Sequence, residues 1–370
     1  MKTNESTYWY AFHRIKIGTK RKNEILGSLF QKNLAINELF ELTKEEFSEG
    51  LMLTNDEVDA IIAVRENLSN ISFLTEDLLD QGFQIISLFN TAYPEKLKNK
   101  LQENAPPVLF VKGNLQLLKQ GAISIVGSRD ANSTSLEFTK NISRTAAYSK
   151  RTVVSGGAKG VDNFAAHCAI RNGGSTIIVL AEGVKKFKGY REFYTAMTEG
   201  RLLVMSSFDP DDRWQTFKAQ DRNPLIYAMG DKVFIAESGA KGGTMNGCMF
   251  ALKLHWEVFI RYPEQNEKNA NMTLIQKGCI PVDMTGKPLD LDLPKSDLEI
   301  EKEVIAGLES ALKGKQLTVN DLLKILHLDW KGTKLSGLIK RCDNITSLGG
   351  KPTKYTIKDD MNDSKQITLF

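Results

Sequence analysis

Six short runs constrain what this chain can fold into: AISIV (122–126), TVVS (152–155), TIIVL (176–180), LLVM (202–205), KVFIA (232–236) and EVFI (257–260). Each has the length of a strand and is rich in β-branched and aliphatic residues. Their apolarity is continuous rather than alternating, as in strands covered on both faces. Between them the apolar period changes. Val161, Ala165, Cys168 and Ala169 lie at i, i+4, i+7 and i+8, and Met245, Cys248, Met249 and Leu252 at i, i+3, i+4 and i+7. That is the spacing of a buried helix face. Strand–helix alternation predicts an α/β fold, a doubly wound parallel sheet that binds its ligand at the carboxyl ends of the strands.

The flanks read differently. Residues 1–88 are expected to form a helical domain, because ILGSLFQ, INELFELT and EDLLDQGF place large apolar residues three or four apart. Thr43 with Glu46 has the form of a capping box, and Thr54 or Asn55 should start a further helix. The sheet domain is expected over 89–290, followed by an acidic, Pro-containing linker over 291–300. Over 301–358, VIAGLESAL, VNDLLKIL and TKLSGLIKRC read as three helices, and ITSLGGKPTKYTI as a hairpin turning at Gly349-Gly350. That is the outline of a winged helix. Residues 359–370 read as a polar tail with an apolar tip.

Composition removes several function classes. Lys plus Arg is 49 against Asp plus Glu 45, so a nucleic-acid surface must be a local patch rather than a global field. The four cysteines are far apart and form no CxxC, so neither a zinc site nor a disulfide framework is expected. No run of 18 apolar residues occurs and MKTNESTYWY lacks a signal peptide's apolar core. The expectation is a cytoplasmic protein without a membrane partner.

Glycine loops follow the expected strands. Gly127, Ser128 and Arg129 follow the first run; Gly156, Gly157, Lys159 and Gly160 follow the second; Gly239, Lys241, Gly242, Gly243 and Thr244 follow the fifth. In a parallel sheet these loops converge on one edge. Glycine lets backbone amides approach an anion, and the next helix adds the positive end of its dipole. With three cations they describe a phosphate-binding rim. No GxxxxGK[ST] occurs, nor a GxGxxG with an acidic residue at the right distance. Nucleotide hydrolysis and dinucleotide redox chemistry therefore lack support, and no cofactor, metal or catalytic residue is expected.

The runs SIVGSRD, VVSGGAKGVDNFAAH, NGGSTIIVLAEGV, DRNPLIYAMGDKVFIAES and NMTLIQKGCIPV resemble the DprA/Smf family of DNA-processing proteins. The resemblance extends over nearly the whole chain, from a helical N-terminal domain of the SAM or helix-hairpin-helix kind to a C-terminal winged helix. It implies a Rossmann-like domain, not an enzyme, that binds single-stranded DNA, forms a homodimer, and helps load RecA recombinase in DNA recombination, uptake or protection. By the same resemblance Gly127, Ser128 and Arg129 match the family's GSR motif. Ser155, Gly156, Gly157, Lys159, Gly160 and Asp162 match its SG-A-GID motif, and Arg222 and Asn223 match the start of RNR.

Three features depart from the family pattern. His167 lies five residues after Asp162 rather than four, with Ala166 in the usual place, and reads as a helix-face histidine. Pro224 replaces the last arginine of RNR, and GAKGGT replaces an SGSL-type turn. The Gly-Gly-Thr resembles the wider superfamily of nucleotide-ligand sensors and phosphoribohydrolases related to the cytokinin-activating LOG enzymes. Asn246 stands where those hydrolases need a glutamate. The alternative function is therefore a sensor of a nucleotide-derived ligand in an antiviral defence or stress system.

Other features admit two readings. Lys185, Lys186, Lys188 and Arg191 with Phe187 and Tyr190 form either a strip for single strands or a solvated loop. Arg213, Trp214, Phe217 and Lys218 offer stacking and charge, or else buried aromatics. Lys334, Lys340 and Arg341 would mark a recognition helix for DNA or for protein. The last five residues, QITLF, resemble the pentapeptide that docks bacterial polymerases and repair proteins on the DNA sliding clamp. Gln366 would bond at a pocket rim while Leu369 and Phe370 fill an apolar cleft; the competing reading is a strand packed on the winged helix.

Overall fold

A computed structural model describes residues 4–358. The clamp-like residues Gln366, Leu369 and Phe370 lie outside the described residues. The described residues divide into two compact units, one of residues 4–274 and 279–290, the other of 275–278 and 291–358.

In the larger unit, helices α1 (Glu5–Arg14), α2 (Thr19–Gln31), α3 (Asn55–Arg65) and α4 (Leu68–Asp80) precede the sheet. Helix α3 starts as its sequence demands, with a reciprocal capping box between Thr54 and Glu57. Thr43 and Glu46 also bond reciprocally, at 2.8 and 3.3 Å, but open only a short irregular turn over Glu46–Gly50. INELFELT, expected to be helical, yields a single 3₁₀ turn, Glu38–Phe40, which buries Leu39 and Phe40. Helix α1 has no counterpart in the sequence reading; its start is an Asn4 cap on the Ser6 amide.

The sheet strands are β1 (Gln84–Ser87), β2 (Val108–Gly113), β3 (Ala122–Val126), β4 (Thr152–Ser155), β5 (Thr176–Val179), β6 (Leu202–Ser206), β7 (Lys232–Ile235), β8 (Val258–Arg261) and β9 (Ile280–Val282). Their order is β1-β2-β6-β5-β4-β3-β7-β8-β9. Strands β1 and β2 pair antiparallel, as do β2 and β6. From β6 through β9 every pairing is parallel. Strand β1 thus begins inside the stretch expected to be helical. Its partner is β2, and its core is shared: Phe83, Val108 and Phe110 bury together with residues of α1 to α4. The expected boundary at residue 88 therefore falls within one compact unit.

The intervening helices are α5 (Glu95–Leu101), α6 (Ser133–Tyr148), α7 (Val161–Arg171), α8 (Arg191–Thr198), α9 (Thr216–Met229), α10 (Gly243–Lys253) and α11 (Asn271–Lys277). They cover the sheet on both faces, as the continuous apolarity of the strands requires. Ile123, Ile125 and Val153 pack on Phe138, Ile142, Val161 and Ala165 of α6 and α7. Ser124, one residue out of phase, points the other way and donates to the Ile226 carbonyl of α9 at 2.5 Å. Helix α9 carries Pro224 in its interior. In α10, Cys248 and Leu252 are buried but Met249 is 39% exposed, so the expected Met245–Met249 core stripe is not one. The buried face runs instead through Gly247, Cys248 and Ala251.

The smaller unit contains α12 (Asp297–Leu312), α13 (Val319–Ile325), α14 (Gly332–Ile339) and a three-stranded antiparallel sheet in the order β10-β12-β11, from β10 (Leu317–Thr318), β11 (Ile345–Ser347) and β12 (Lys354–Ile357). The turn at Gly349 and Gly350 uses positive φ at both residues. The last residues of the expected linker are already helical, because Ser296 and Glu299 form a capping box that starts α12.

Candidate nucleic-acid interface

The parallel strands reverse direction of progress between β3 and β7. The chain moves outward from β3 to β4, β5 and β6 on one side and from β7 to β8 and β9 on the other. Loops leaving β3 and β7 therefore separate and open a crevice at their carboxyl ends. A pocket of about 370 Å³ lies there. Gly127, Ser128 and Arg129 line it from the β3 loop, Asp162 from α7, Arg222 and Asn223 from α9, and Lys241, Gly242, Gly243 and Thr244 from the β7 loop.

The remaining rim residues from the sequence do not line the pocket but shape it. Ser155 is buried and donates to the Ile125 carbonyl at 2.7 Å. Gly157 packs on Ile178. Lys159 is exposed and pairs with Asp130 at 2.9 Å. A Cβ on Gly156 would lie 1.6 Å from Arg222 Nη1, so glycine there is what lets the guanidinium pass beneath the loop. At Gly160, φ is +84° and a Cβ would lie 2.3 Å from the Ser128 carbonyl oxygen. The two loops touch backbone to backbone at that point. Gly160→Ala combines a disfavoured φ with a backbone clash, so it should destabilise by about 2–4 kcal/mol. An unchanged melting temperature would show that the loops relax independently.

Arg222 is the unusual group. It is 3% exposed. Among the described residues neither its Nε nor its Nη1 has a hydrogen-bond partner. Its nearest countercharge is Asp162, 3.9 Å from Nη1. A guanidinium left short of acceptors in the interior is costly, and an anion entering the pocket would complete it. Burial pushes the Asp162 carboxyl up to about 6, against the pull of Arg222, the Gly127 and Gly156 amides and Arg129.

Several residues of this site carried no signal in the sequence reading. Thr216, Ala219, Gln220 and Tyr227 line the pocket beside Asn223. They recur at helical spacing along α9, which is the signal that could have found them. Tyr227 is fully buried and donates to the Thr244 carbonyl at 3.1 Å, and Asn223 donates to that of Gly243 at 3.0 Å, so α9 fixes the β7 loop. At the mouth, the Arg129 guanidinium lies 5.3 Å from the Trp214 ring centroid. Trp214 is 46% and Phe217 56% exposed, which settles these aromatics as surface groups. Lys218 is not part of that surface: it is buried and pairs with Asp212 at 2.6 Å.

Elsewhere some of the cations are partnered, while Lys188, Arg191 and Lys340 are exposed. Lys185 pairs with Asp77 and Asp211, and Lys186 with Asp211. His167 packs between Tyr190 and Phe193 with its Nδ1 against the Glu192 carboxylate. In the smaller unit Lys334 covers Trp330 and Arg341 pairs with Glu301. Asn246 does not line the switch-point pocket but a neighbouring cavity. Among the described residues there is no cluster of His, Cys, Asp or Glu suited to a metal, and no helix long and apolar enough to cross a membrane.

Fold and site together define a doubly wound α/β protein with a buried arginine in the wall of its switch-point pocket. The family model for DNA recombination-mediator protein A matches residues 84–288, and the chain belongs to that family, the DprA/Smf proteins. It is 30% identical over 181 residues to the DNA processing protein DprA of Streptococcus pneumoniae, covering 48% of this chain and 63% of that protein. It is 27% identical over 295 residues to the protein Smf of Synechocystis, covering 75% of this chain and 70% of the relative. The crystal structure of the pneumococcal protein aligns with 76% of this chain and 95% of its own at a TM-score of 0.64 and 24% identity, a likeness of fold.

Proposed function

We propose that this chain is a non-enzymatic single-stranded DNA-binding protein of DNA recombination, uptake or protection, and that the switch-point pocket holds a backbone phosphate. The observation that carries this reading is Arg222, buried in the pocket wall with two guanidinium nitrogens lacking acceptors. Arg129 and Lys241 add exposed cations on either side of it. Loop amides and cations contact phosphate, not base edges, so binding depends on length and salt rather than sequence. The test is titration of labelled oligo-dT at several salt concentrations. Arg129→Ala with Lys241→Ala should weaken binding and reduce the slope of log affinity against log salt by about 1.4, two phosphate contacts' worth for a single strand. An unchanged slope would remove these residues from the interface.

The site also predicts a pH dependence. An anion beside Asp162 makes ionisation of that carboxyl harder, so the bound state holds its proton more tightly. Affinity should be constant below pH about 6, where the carboxyl is already protonated, and fall as pH rises above it. The fall is limited to about tenfold per pH unit for one proton. Arginine stays protonated across this range, so Arg222 and Arg129 do not contribute to it. Binding that strengthens with rising pH would contradict the assignment.

The further elements of this reading are a homodimer, an interaction with RecA recombinase, and a sliding-clamp contact through Gln366, Leu369 and Phe370. We read the smaller unit as a winged helix, on the strength of its α12-β10-α13-α14-β11-β12 order. The internal use of Lys334 and Arg341 favours protein contact over DNA there. A second reading rests on Gly242, Gly243 and Thr244 in the pocket wall, which suit a nucleotide-derived ligand in a defence or stress sensor. A thermal shift with mononucleotides and ADP-ribose derivatives, without oligonucleotide binding, would select it.

A further inference from the structure

A second cavity, of about 590 Å³, adjoins the first and shares Gln220 with it. Its walls come from the end of α1, the first turn of α2, and α9 and α10, all within the larger unit. We propose that this cavity is a second nucleotide pocket, in which the Lys22 ammonium takes a nucleotide phosphate.

Lys22 is 7% exposed and lines the cavity. Its Nζ donates to the His13 carbonyl at 2.5 Å. Among the described residues no carboxylate pairs with it. Burial alone lowers its ammonium to about 8, so at neutral pH most of it remains charged. With one carbonyl acceptor and the Phe12 ring centroid 5.9 Å away, the buried ammonium still has donors without an acceptor. The surrounding charge points the same way. Helix α2 begins at Thr19 with Gly18 as its cap; no side chain caps its amides and no acid stands in its first turn. Acids are the usual occupants of that position, because the dipole's positive end favours them. Here Thr19 of that turn faces the cavity instead.

The remaining walls suit the rest of a nucleotide. Gln220 and Asn246 supply amides, and Phe250 an aromatic surface. The His13 imidazole is held down at about 3 by burial and by Lys22, so it is neutral and the cation beside it is Lys22. Asp221 also reaches this wall, but it is solvent-exposed at the rim while Lys22 is deep. Gln220, common to both cavities, marks the route by which a strand held at Arg222 would continue to Lys22 along α9. In that form the inference rests on the single-strand reading; a free nucleotide would reach the same ammonium without it.

Titration of the full chain with labelled oligo-dT, and separately with dTMP, tests both sources. Lys22→Met should weaken binding roughly tenfold or more, the loss of one charge-assisted hydrogen bond. It should also lower the salt slope by about 0.7 if the source is the strand. Loss in the oligonucleotide arm alone assigns the pocket to a nucleotide within the strand; loss of dTMP binding assigns it to a free one. Unchanged affinity in both arms overturns the proposal. Arg222→Met, run alongside, keeps the two readings apart: if it abolishes binding while Lys22→Met is neutral, only the second pocket falls. Should Lys22→Met fail to fold, Asn246→Leu, which replaces a lining amide by a bulkier apolar group, must produce the same loss, and normal binding by that variant overturns the proposal.

Discussion

Arg222→Met is expected to weaken single-strand binding roughly a hundredfold or more while leaving the protein at least as stable as before at pH 5.5. The binding loss follows from removing a buried guanidinium whose free nitrogens would make charge-assisted bonds to phosphate, each worth about 1.5–3 kcal/mol. The stability result follows from the same burial. Arg222 is 3% exposed with Nε and Nη1 unsatisfied, and methionine fills similar space without a charge to desolvate. Its countercharge among the described residues is Asp162, whose carboxyl burial has pushed up to about 6. Below that pH the carboxyl is protonated in either protein, and losing the cation costs nothing through it. Above it, the wild type ionises Asp162 beside Arg222 while the variant cannot do so cheaply. The variant's relative stability should then fall with rising pH, by up to about 1.4 kcal/mol per unit. Melting curves at pH 5.5 and 8 together with titrations at both separate the effects. A variant that melts several degrees lower at pH 5.5 yet binds normally would make Arg222 a structural group.

How much of this was legible in the sequence depends on what each residue type announces. The central strands were readable because burial on both faces leaves an uninterrupted apolar run: AISIV and TVVS became β3 and β4 at the expected residues. Strand β1 was not, because four residues next to an amphipathic helix carry too few repeats to separate a period of 2 from one of 3.6. Gly127, Gly242 and Gly243 could be placed at the site because glycine after a parallel strand has a specific use there. Burial of a cation has no such signature. Lys159 and Arg222 look alike in sequence, yet one is 80% exposed against Asp130 and the other is sealed in the pocket wall. Lys22 was equally silent, because only the folding of α2 against the sheet brings it to the cavity beside α9. Tyr227 and Thr216 were missed for a different reason. They belong to the same helix face as Asn223, but a motif of adjacent letters hides a period of 3.6.

That helix also leads to the second large effect, since α9 begins at Thr216 between two exposed aromatics. Trp214 is 46% and Phe217 56% exposed; Trp214 lies against Arg129 of the pocket rim, and Phe217 follows Thr216 of the pocket wall. Large aromatics left in water beside the proposed phosphate site would serve as a stacking platform, on which any base has a face to offer. Trp214 is already aligned by Arg129, 5.3 Å from its ring centroid, so it needs little ordering on binding. Lys218 holds the approach from behind through Asp212 and the Phe208 ring. Each stacked base contributes about 1–3 kcal/mol, so Trp214→Ala with Phe217→Ala should weaken oligo-dT binding roughly thirtyfold or more. Both side chains are exposed, so the melting temperature should hardly move. Phe217→Ala alone distinguishes stacking from charge: it removes no cation, so affinity should fall with the salt slope intact. A fall in slope instead would mean that the aromatics act by positioning Arg129. Normal affinity in the double variant would leave the phosphate cradle to hold the strand alone.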